Sequence, residues 1–423
     1  MMVVMKRSMI SMGVAAILAS PAYATNGMSL EGYGAKSAAM GGTSMAYDVG
    51  NSGMMGNPAT LGLCKQGNNF GLGVTVLQPD VKASIPAYGM GSDSDGTSYL
   101  MPSISFIRKD GDFTYGVGVF AQGGMGTDYP GTSFLSGGTG LPQMSQVGFG
   151  RLMFPLAYQA TKELSVAAQI DYIWASMDLQ MLQMDPMGNG GYVNVKDDSD
   201  FTGQMTGDGF AFKLGAVYQF NKEFSVGATY HSESNLDDLT GSGTITPFMG
   251  GMTPGALPAN YTVVDFQWPA TWGVGVAWNV TPELLIAADI KQLMWSQTMA
   301  DFTLTTDIPG MGAQTQSMPQ NWDDQTVYSI GAQYKIDPAV ALRIGYNYGK
   351  NPVPDNTLNP LFPAITESHF TFGAGWQIDK ANSLAIAFTY APEVTQTMTN
   401  PMAPPIEMSH SQTLWRLNYA YSF

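Results

Sequence analysis

The sequence predicts an all-β protein: a fourteen-stranded antiparallel transmembrane β-barrel with an N-terminal plug inside its lumen. Three observations lead there. Large apolar residues alternate with small or polar ones through most of the chain, which places one set on each face of a strand. The connections between these segments alternate as well, short then long. Charged residues are only 12% of the 423 residues, against ~25% in ordinary soluble domains.

The first element is a secretory signal over residues 1–24. Lys6 and Arg7 form a basic start, residues 9–19 a short apolar run, and Ala22-Tyr23-Ala24 an A-x-A cleavage pattern. The apolar run is too short to span a bilayer, and no later run reaches the ~18 residues a membrane helix needs. The exported chain must therefore cross with strands or not at all. The formal net charge of -15 excludes nucleic acid and anionic lipid surfaces as electrostatic partners. Cys64 is the only cysteine, so no internal disulfide forms. It reads as a small buried apolar residue.

Residues 25–67 come next and show no sustained alternation. They are rich in Gly, Ala, Ser and Met, too long for a stub and too apolar to prefer water. A wide barrel leaves an interior that its own side chains cannot fill. A plug explains both facts; a periplasmic tail is the competing reading.

The barrel follows over residues 68–423. Strands are predicted at 68–77, 99–108, 113–121, 147–160, 164–176, 209–220, 224–233, 268–279, 284–294, 325–336, 339–347, 368–378, 382–390 and 412–423. The last shows the pattern well: Trp415, Leu417, Tyr419, Tyr421 and Phe423 alternate with Arg416, Asn418, Ala420 and Ser422. Long loops lie at 78–98, 122–146, 177–208, 234–267, 295–324, 348–367 and 391–411. Short turns on one rim and long loops on the other are the pattern of outer-membrane barrels, with both termini periplasmic. A closed barrel also satisfies its backbone hydrogen bonds within lipid. The large apolar set then faces lipid, and Arg151, Lys213, Lys291, Arg343 and Arg416 face the lumen. Outer-membrane lipids and lipopolysaccharide would surround such a barrel, and the barrel-assembly machinery would insert it. A secreted soluble β-protein would not need this loop alternation.

Several segments resemble the FadL/TodX outer-membrane transporters. They are Thr25-Asn26-Gly27, the run from Gly32 to Gly42 (GYGAKSAAMGG), Asn57-Pro58-Ala59, Pro102-Ser103-Ile104, Tyr115-Gly116-Val117-Gly118-Val119, Asp128-Tyr129-Pro130, Leu214-Gly215-Ala216-Val217-Tyr218-Gln219 and Leu342-Arg343-Ile344-Gly345-Tyr346. Each alone is weak; their order over the whole exported chain carries the resemblance. It implies a monomeric barrel closed by an N-terminal hatch. It further implies passive uptake of long-chain fatty acids or aromatic or aliphatic hydrocarbons. Ligand would be caught by extracellular loops, bound against the hatch, and released sideways into the membrane near the third strand.

The residues offer candidates for each stage. Met181, Leu182, Met184 and Met187 in one long loop, and Phe248, Met249, Met252 and Leu257 in another, form apolar clusters suited to capture. Flexible Met side chains tolerate varied ligands; loop-on-loop capping is the equal alternative. Gly123, Gly124 and Gly126 follow the third strand and could seat a bulge at the lateral exit. Asn57, Pro58 and Ala59 match the hatch motif. Arg151, Lys213, Lys291 and Arg343 are possible contacts for a ligand carboxylate, or members of structural ion pairs.

The other function classes fare worse. A general diffusion porin needs an open lumen, which a plug denies. A lipolytic enzyme needs a Ser/His pair, but His231-Ser232 and His410-Ser411 are strand neighbours pointing to opposite faces. No metal or cofactor motif is present.

Overall fold

The computed structural model describes residues 26–184, 190–197, 199, 203–248, 255–399 and 404–423. The signal segment therefore lies outside the described residues. The chain opens with a short helix, α1 (Gly34–Ala38), and two 3₁₀ turns, Gly50–Met54 and Pro58–Leu63. Strands then follow in order: β1 (Gly67–Ile85), β2 (Met90–Asp93), β3 (Tyr99–Asp110), β4 (Phe113–Tyr129), β5 (Gln143–Gln159), β6 (Leu164–Met184) and β7 (Gly190–Val195). Next come β8 (Met205–Gln219), β9 (Phe224–His231), β10 (Asn235–Leu236), β11 (Leu239–Phe248), β12 (Leu257–Val264), β13 (Thr271–Asn279) and β14 (Leu284–Leu293). A short helix, α2 (Trp295–Thr298), precedes β15 (Asp301–Ile308), β16 (Gly312–Pro319), β17 (Gln325–Lys335), β18 (Val340–Gly349), β19 (Ser368–Gln377), β20 (Asn382–Met398) and β21 (Ile406–Ser422).

The expected count of fourteen strands is overturned: one sheet contains twenty-one. The extra strands arise inside segments read as long loops. β2, β7, β10, β11, β12, β15 and β16 all pair with neighbours. Strands such as β1, β6 and β21 also run well past their alternating cores. The physical reason is that alternation of large apolar and small residues marks only backbone with lipid on one side. Beyond the bilayer the ladder continues without that constraint on sequence.

The antiparallel pairing closes on itself. It runs β1, β3, β4, β5, β6, β8, β9, β13, β14, β17, β18, β19, β20, β21 and back to β1. A second run branches from the upper end of β6 through β7, β11, β12 and β15 to β16. The turns at the other rim are built by their first residues. The side-chain oxygens of Thr161, Asn221, Thr281, Asp337 and Asp379 each accept backbone N–H groups two or three residues on, as Asx and Ser/Thr turns do.

The wall is inside-out relative to a soluble protein. On β8, Phe210, Phe212 and Leu214 are exposed, while Ala211 and Lys213 between them are buried. Leu72, Ile104, Leu156, Ile170, Ile330 and Trp415 repeat the outward apolar set around the ring. Their transfer from water to lipid stabilises the folded barrel at about 25 cal/mol per Å². Among the described residues no helix is long and apolar enough to cross a membrane.

The N-terminal segment is buried against the inward face. The wall is glycine-poor in bulk where it meets it: a Cβ at Gly227 would lie 1.8 Å from the Met45 carbonyl, and one at Gly345 would lie 2.1 Å from the Gly41 nitrogen. Small lumen residues thus serve close backbone approach rather than chain flexibility.

Candidate functional site

The ladder between β3 and β4 stops early. Their pairing runs from Asp110↔Phe113 to Ser103↔Phe120 and no further. β3 continues against β1 to Tyr99, and β4 continues against β5 to Tyr129. Above Ser103, therefore, the two strands share no ladder. The next residue of β3 is Pro102, which has no N–H to offer a partner. On β4 the register shifts between Ala121 and Gly123, a bulge that leaves Gln122 out of the pairing.

The bulge has a specific sequence requirement. Gly123 has φ +154, and a Cβ there would lie 2.2 Å from the Met28 carbonyl. The start of the described chain comes up to this edge: Ser29 bridges Gly123, and Gly124 N–H donates to Met28 O at 3.1 Å. Gln122 turns inward. Tyr33 donates to its carbonyl at 2.5 Å, and Arg151 Nε donates to its side-chain oxygen. Burial pushes the Tyr33 hydroxyl up to about 12, so it remains a donor at neutral pH.

A cavity of about 380 Å³ occupies the unpaired seam. Met28 and Leu30 line it from the N-terminal segment, Tyr99 to Pro102 from β3, Gly123 to Gly126 from β4, and Val147 to Gly150 from β5. Leu100 also belongs to the outward, exposed set. The space thus joins the interior to the lipid-facing wall. Its only strongly polar visitors are Gln146, His410 and Gln412, and it contains no Lys, Arg, Asp or Glu.

Next to it lies an extended apolar core. Phe149 meets Trp268 edge-on at 4.9 Å, Trp268 meets Trp295 at 5.6 Å, and Trp295 meets Trp322 at 5.4 Å. Phe266, Phe302 and Phe362 extend the contacts. The branching strands cover this core, contributing Val193, Tyr261, Val263 and Leu304.

The polar half lies below. Arg151 Nη1 contacts Asp171 Oδ2 at 2.7 Å, and Lys213 Nζ reaches the same oxygen at 3.4 Å. Lys213 also donates to Met54 O at 2.6 Å. Glu31 and Arg416 form a bidentate pair at 2.7 and 2.9 Å, with Thr389 donating to Glu31 at 2.7 Å. Both ends are buried. Burial alone would raise the Glu31 pKa, but the Arg416 guanidinium outweighs it and the net shift is downward.

The sequence candidates separate into distinct places. Gly123, Gly124 and Gly126 line the seam cavity. Asn57, Pro58 and Ala59 lie elsewhere, against β6 and β8. Asn57 caps its 3₁₀ turn through Ala59 N–H and donates to Met45 O at 2.8 Å and Ala216 O at 3.0 Å. Ser165 donates to Ala59 O at 2.8 Å. A Cβ at Gly215 would lie 2.1 Å from Asn57 Oδ1, so the wall admits this motif only with glycine there. Met181 and Phe248 are buried, and Leu182 and Leu257 half-buried, within the covering strands. Met187, Met249, Met252 and the side chain of Met184 lie outside the described residues.

None of the four basic candidates lines the seam cavity. Arg151 and Lys213 share Asp171; Lys291 donates to Gly42 O at 3.0 Å, and Arg343 to Gln333 at 2.8 Å. Sequence reasoning missed Glu31, Gln122, His410 and the tryptophan chain. The loop 350–367 gave a usable signal. Val353, Leu358, Leu361, Phe362 and Ile365 are apolar without strand alternation, and all are buried.

Known proteins share this architecture. The toluene transporter TodX of Pseudomonas putida is 29% identical, with 93% of this chain and 99% of that one covered and a TM-score of 0.84. The toluene transporter TbuX of Ralstonia pickettii is 28% identical over 93% and 99%, with a TM-score of 0.77. The long-chain fatty acid transport protein of Salmonella typhi is 21% identical, with 82% of each chain covered. An 80-residue stretch is 58% identical to an uncharacterized protein of Chlorobium limicola and spans 38% of its length. The family model described as outer membrane protein transport protein (OMPP1/FadL/TodX) matches residues 11–423. This chain is an outer-membrane β-barrel belonging to the OMPP1/FadL/TodX family of transport proteins.

Proposed function

We propose that the chain carries small hydrophobic compounds passively across the outer membrane and releases them sideways into the bilayer through the β3–β4 seam. The observation that carries this reading is the cavity itself, an apolar space at a break in the wall that touches both the buried Met28 and the exposed Leu100. A hydrophobic solute gains ~25 cal/mol per Å² on leaving water. A dry route with a lateral exit keeps that gain from start to finish; a water-filled pore forfeits it. The covering strands, with Met181, Leu182, Phe248 and Leu257, are the capture surface in this scheme. Residues 25–67 act as the plug, and the barrel works as a monomer with both termini periplasmic. The lack of any cation in the cavity favours neutral compounds over carboxylates, in keeping with the likeness to toluene transporters.

Purified protein in short-chain detergent should show saturable binding of an apolar probe and low bilayer conductance. High, steady conductance without saturable binding would instead mark a diffusion porin. Removing residues 25–57 should raise conductance sharply, and an unchanged value would count against a plug.

A further inference from the structure

We propose that the seam cavity selects hydrophobic compounds carrying one hydrogen-bond donor, such as a phenol or an alcohol, and that His410 Nε2 accepts that donor. This deepens the transport reading and rests on it.

The tautomer follows from geometry. His410 Nδ1 lies 3.0 Å from the Pro363 carbonyl. A carbonyl only accepts, so Nδ1 carries the hydrogen. In the neutral ring Nε2 then presents a lone pair. That atom is buried and has no hydrogen-bond partner among the described residues, although the ring is only 7% exposed and lines the cavity. A buried acceptor left unpaired is destabilising and calls for a partner.

The neighbours do not provide one. Gln412 lies two residues along the same face, but its amide nitrogen is 3.3 Å from His369 Nε2. His369 in turn faces Asn347 Oδ1 through Nδ1 at 3.3 Å, and Asn347 donates to Gly41 O at 3.3 Å. This chain of donors points away from the cavity. The ligand chemistry follows by exclusion. A carboxylate offers only acceptors to an acceptor. A plain hydrocarbon leaves Nε2 unpaired. A hydroxyl satisfies it while the ring or chain of the compound fills the apolar remainder. The volume suits a small molecule.

Phenol and toluene are nearly the same size and differ by the donor. Each would compete with an apolar fluorescent probe on the full-length, detergent-purified protein, with values corrected for partition into micelles. Wild type should favour phenol by about tenfold, the order expected when a site is built around a hydroxyl. His410→Phe should abolish that preference and leave toluene within about twofold. His410→Gln, which keeps an acceptor, should retain part of it. Heat-modifiable migration on gels reports whether each variant folds. Equal loss of both ligands in His410→Phe, or an unchanged phenol preference, overturns the proposal. So does toluene binding by wild type with no phenol preference, which leaves the transport reading standing. If wild type binds neither compound, both readings fall.

Discussion

The two halves of the interior are built on opposite principles. In the lower half every major contact is directional. Glu31 grips Arg416, Asp171 joins Arg151 to Lys213, and Asn57 bonds across to β8. In the upper half the contacts are edge-to-face aromatics and apolar packing, with several orphaned polar atoms, among them Trp295 Nε1, Trp322 Nε1 and His410 Nε2. A buried ion pair holds one geometry and punishes any other. Apolar packing is non-directional and accepts many shapes. The lower half therefore fixes where the N-terminal segment sits, and the upper half leaves room for what passes. Between them lies the β4 bulge, whose residue Gln122 bonds to Tyr33 and Arg151 below while Gly123 and Gly124 border the cavity above.

Breaking the lower half should have the largest effect. Glu31→Ala leaves Arg416 buried without its carboxylate, a loss of about 3–5 kcal/mol. Urea unfolding of the detergent-solubilised protein should register it, together with raised conductance as the segment loosens. A loss below 1 kcal/mol would mean that the segment is held by packing alone. The pair also has a pH signature. The folded-state pKa of Glu31 is depressed below its ordinary 4.5, so its contribution is complete above that value and disappears only as pH falls through the lower folded value. Wild-type stability relative to Glu31→Ala should thus be flat from pH 8 to pH 5 and converge only in stronger acid. A difference that vanishes already near neutrality would place the shift in the wrong direction.

Trp295→Ala attacks the upper half. It removes a fully buried ring at the centre of the tryptophan chain, and large-to-small changes of this kind cost about 3–5 kcal/mol in rigid cores. A region built to admit ligands should lose less, near the lower bound, and recover part of it when an apolar compound is added. Unfolding midpoints with and without toluene decide this. No recovery would make the upper half an ordinary core. At the boundary, Gly123→Ala forces a Cβ against Met28 O. We expect about 1–2 kcal/mol of destabilisation and a disproportionate fall in uptake of a labelled hydrocarbon by whole cells. Uptake matching wild type would exclude the seam as the route.

The same contrast governs what the sequence disclosed. The wall was legible because lipid imposes a two-residue period: Phe210, Phe212 and Leu214 declare their face by size alone. The turns were legible through Asn221, Asp337 and Asp379. The seam was half legible. Gly123, Gly124 and Gly126 suggested a bulge, but nothing local announced that Pro102 would end the ladder opposite them. Glu31 and Arg416 are 385 positions apart, and no local pattern pairs them. The strands beyond the membrane were invisible for a stated reason. β16 reads GAQTQSMP, polar on both faces, and is specified by its partner β15 rather than by its own sequence.

The smallest effect expected is at Cys64, where the N-terminal segment meets the first strand. It follows the 3₁₀ turn that carries Pro58 and Ala59, and it packs beside Met55 and Leu61. Burial pushes its thiol up to about 11 from an ordinary 9.0, so the thiolate fraction at pH 8 falls by about a hundredfold, and alkylation slows with it. Cys64→Ser should leave stability within about 0.5–1 kcal/mol, and folded wild type should resist maleimide for hours. Glu31→Ala should make the same thiol reactive, because Cys64 is shielded only while the segment stays docked. Fast labelling of wild type would show that the segment leaves the wall on its own; slow labelling of both would show that this end is anchored independently of the Glu31–Arg416 pair.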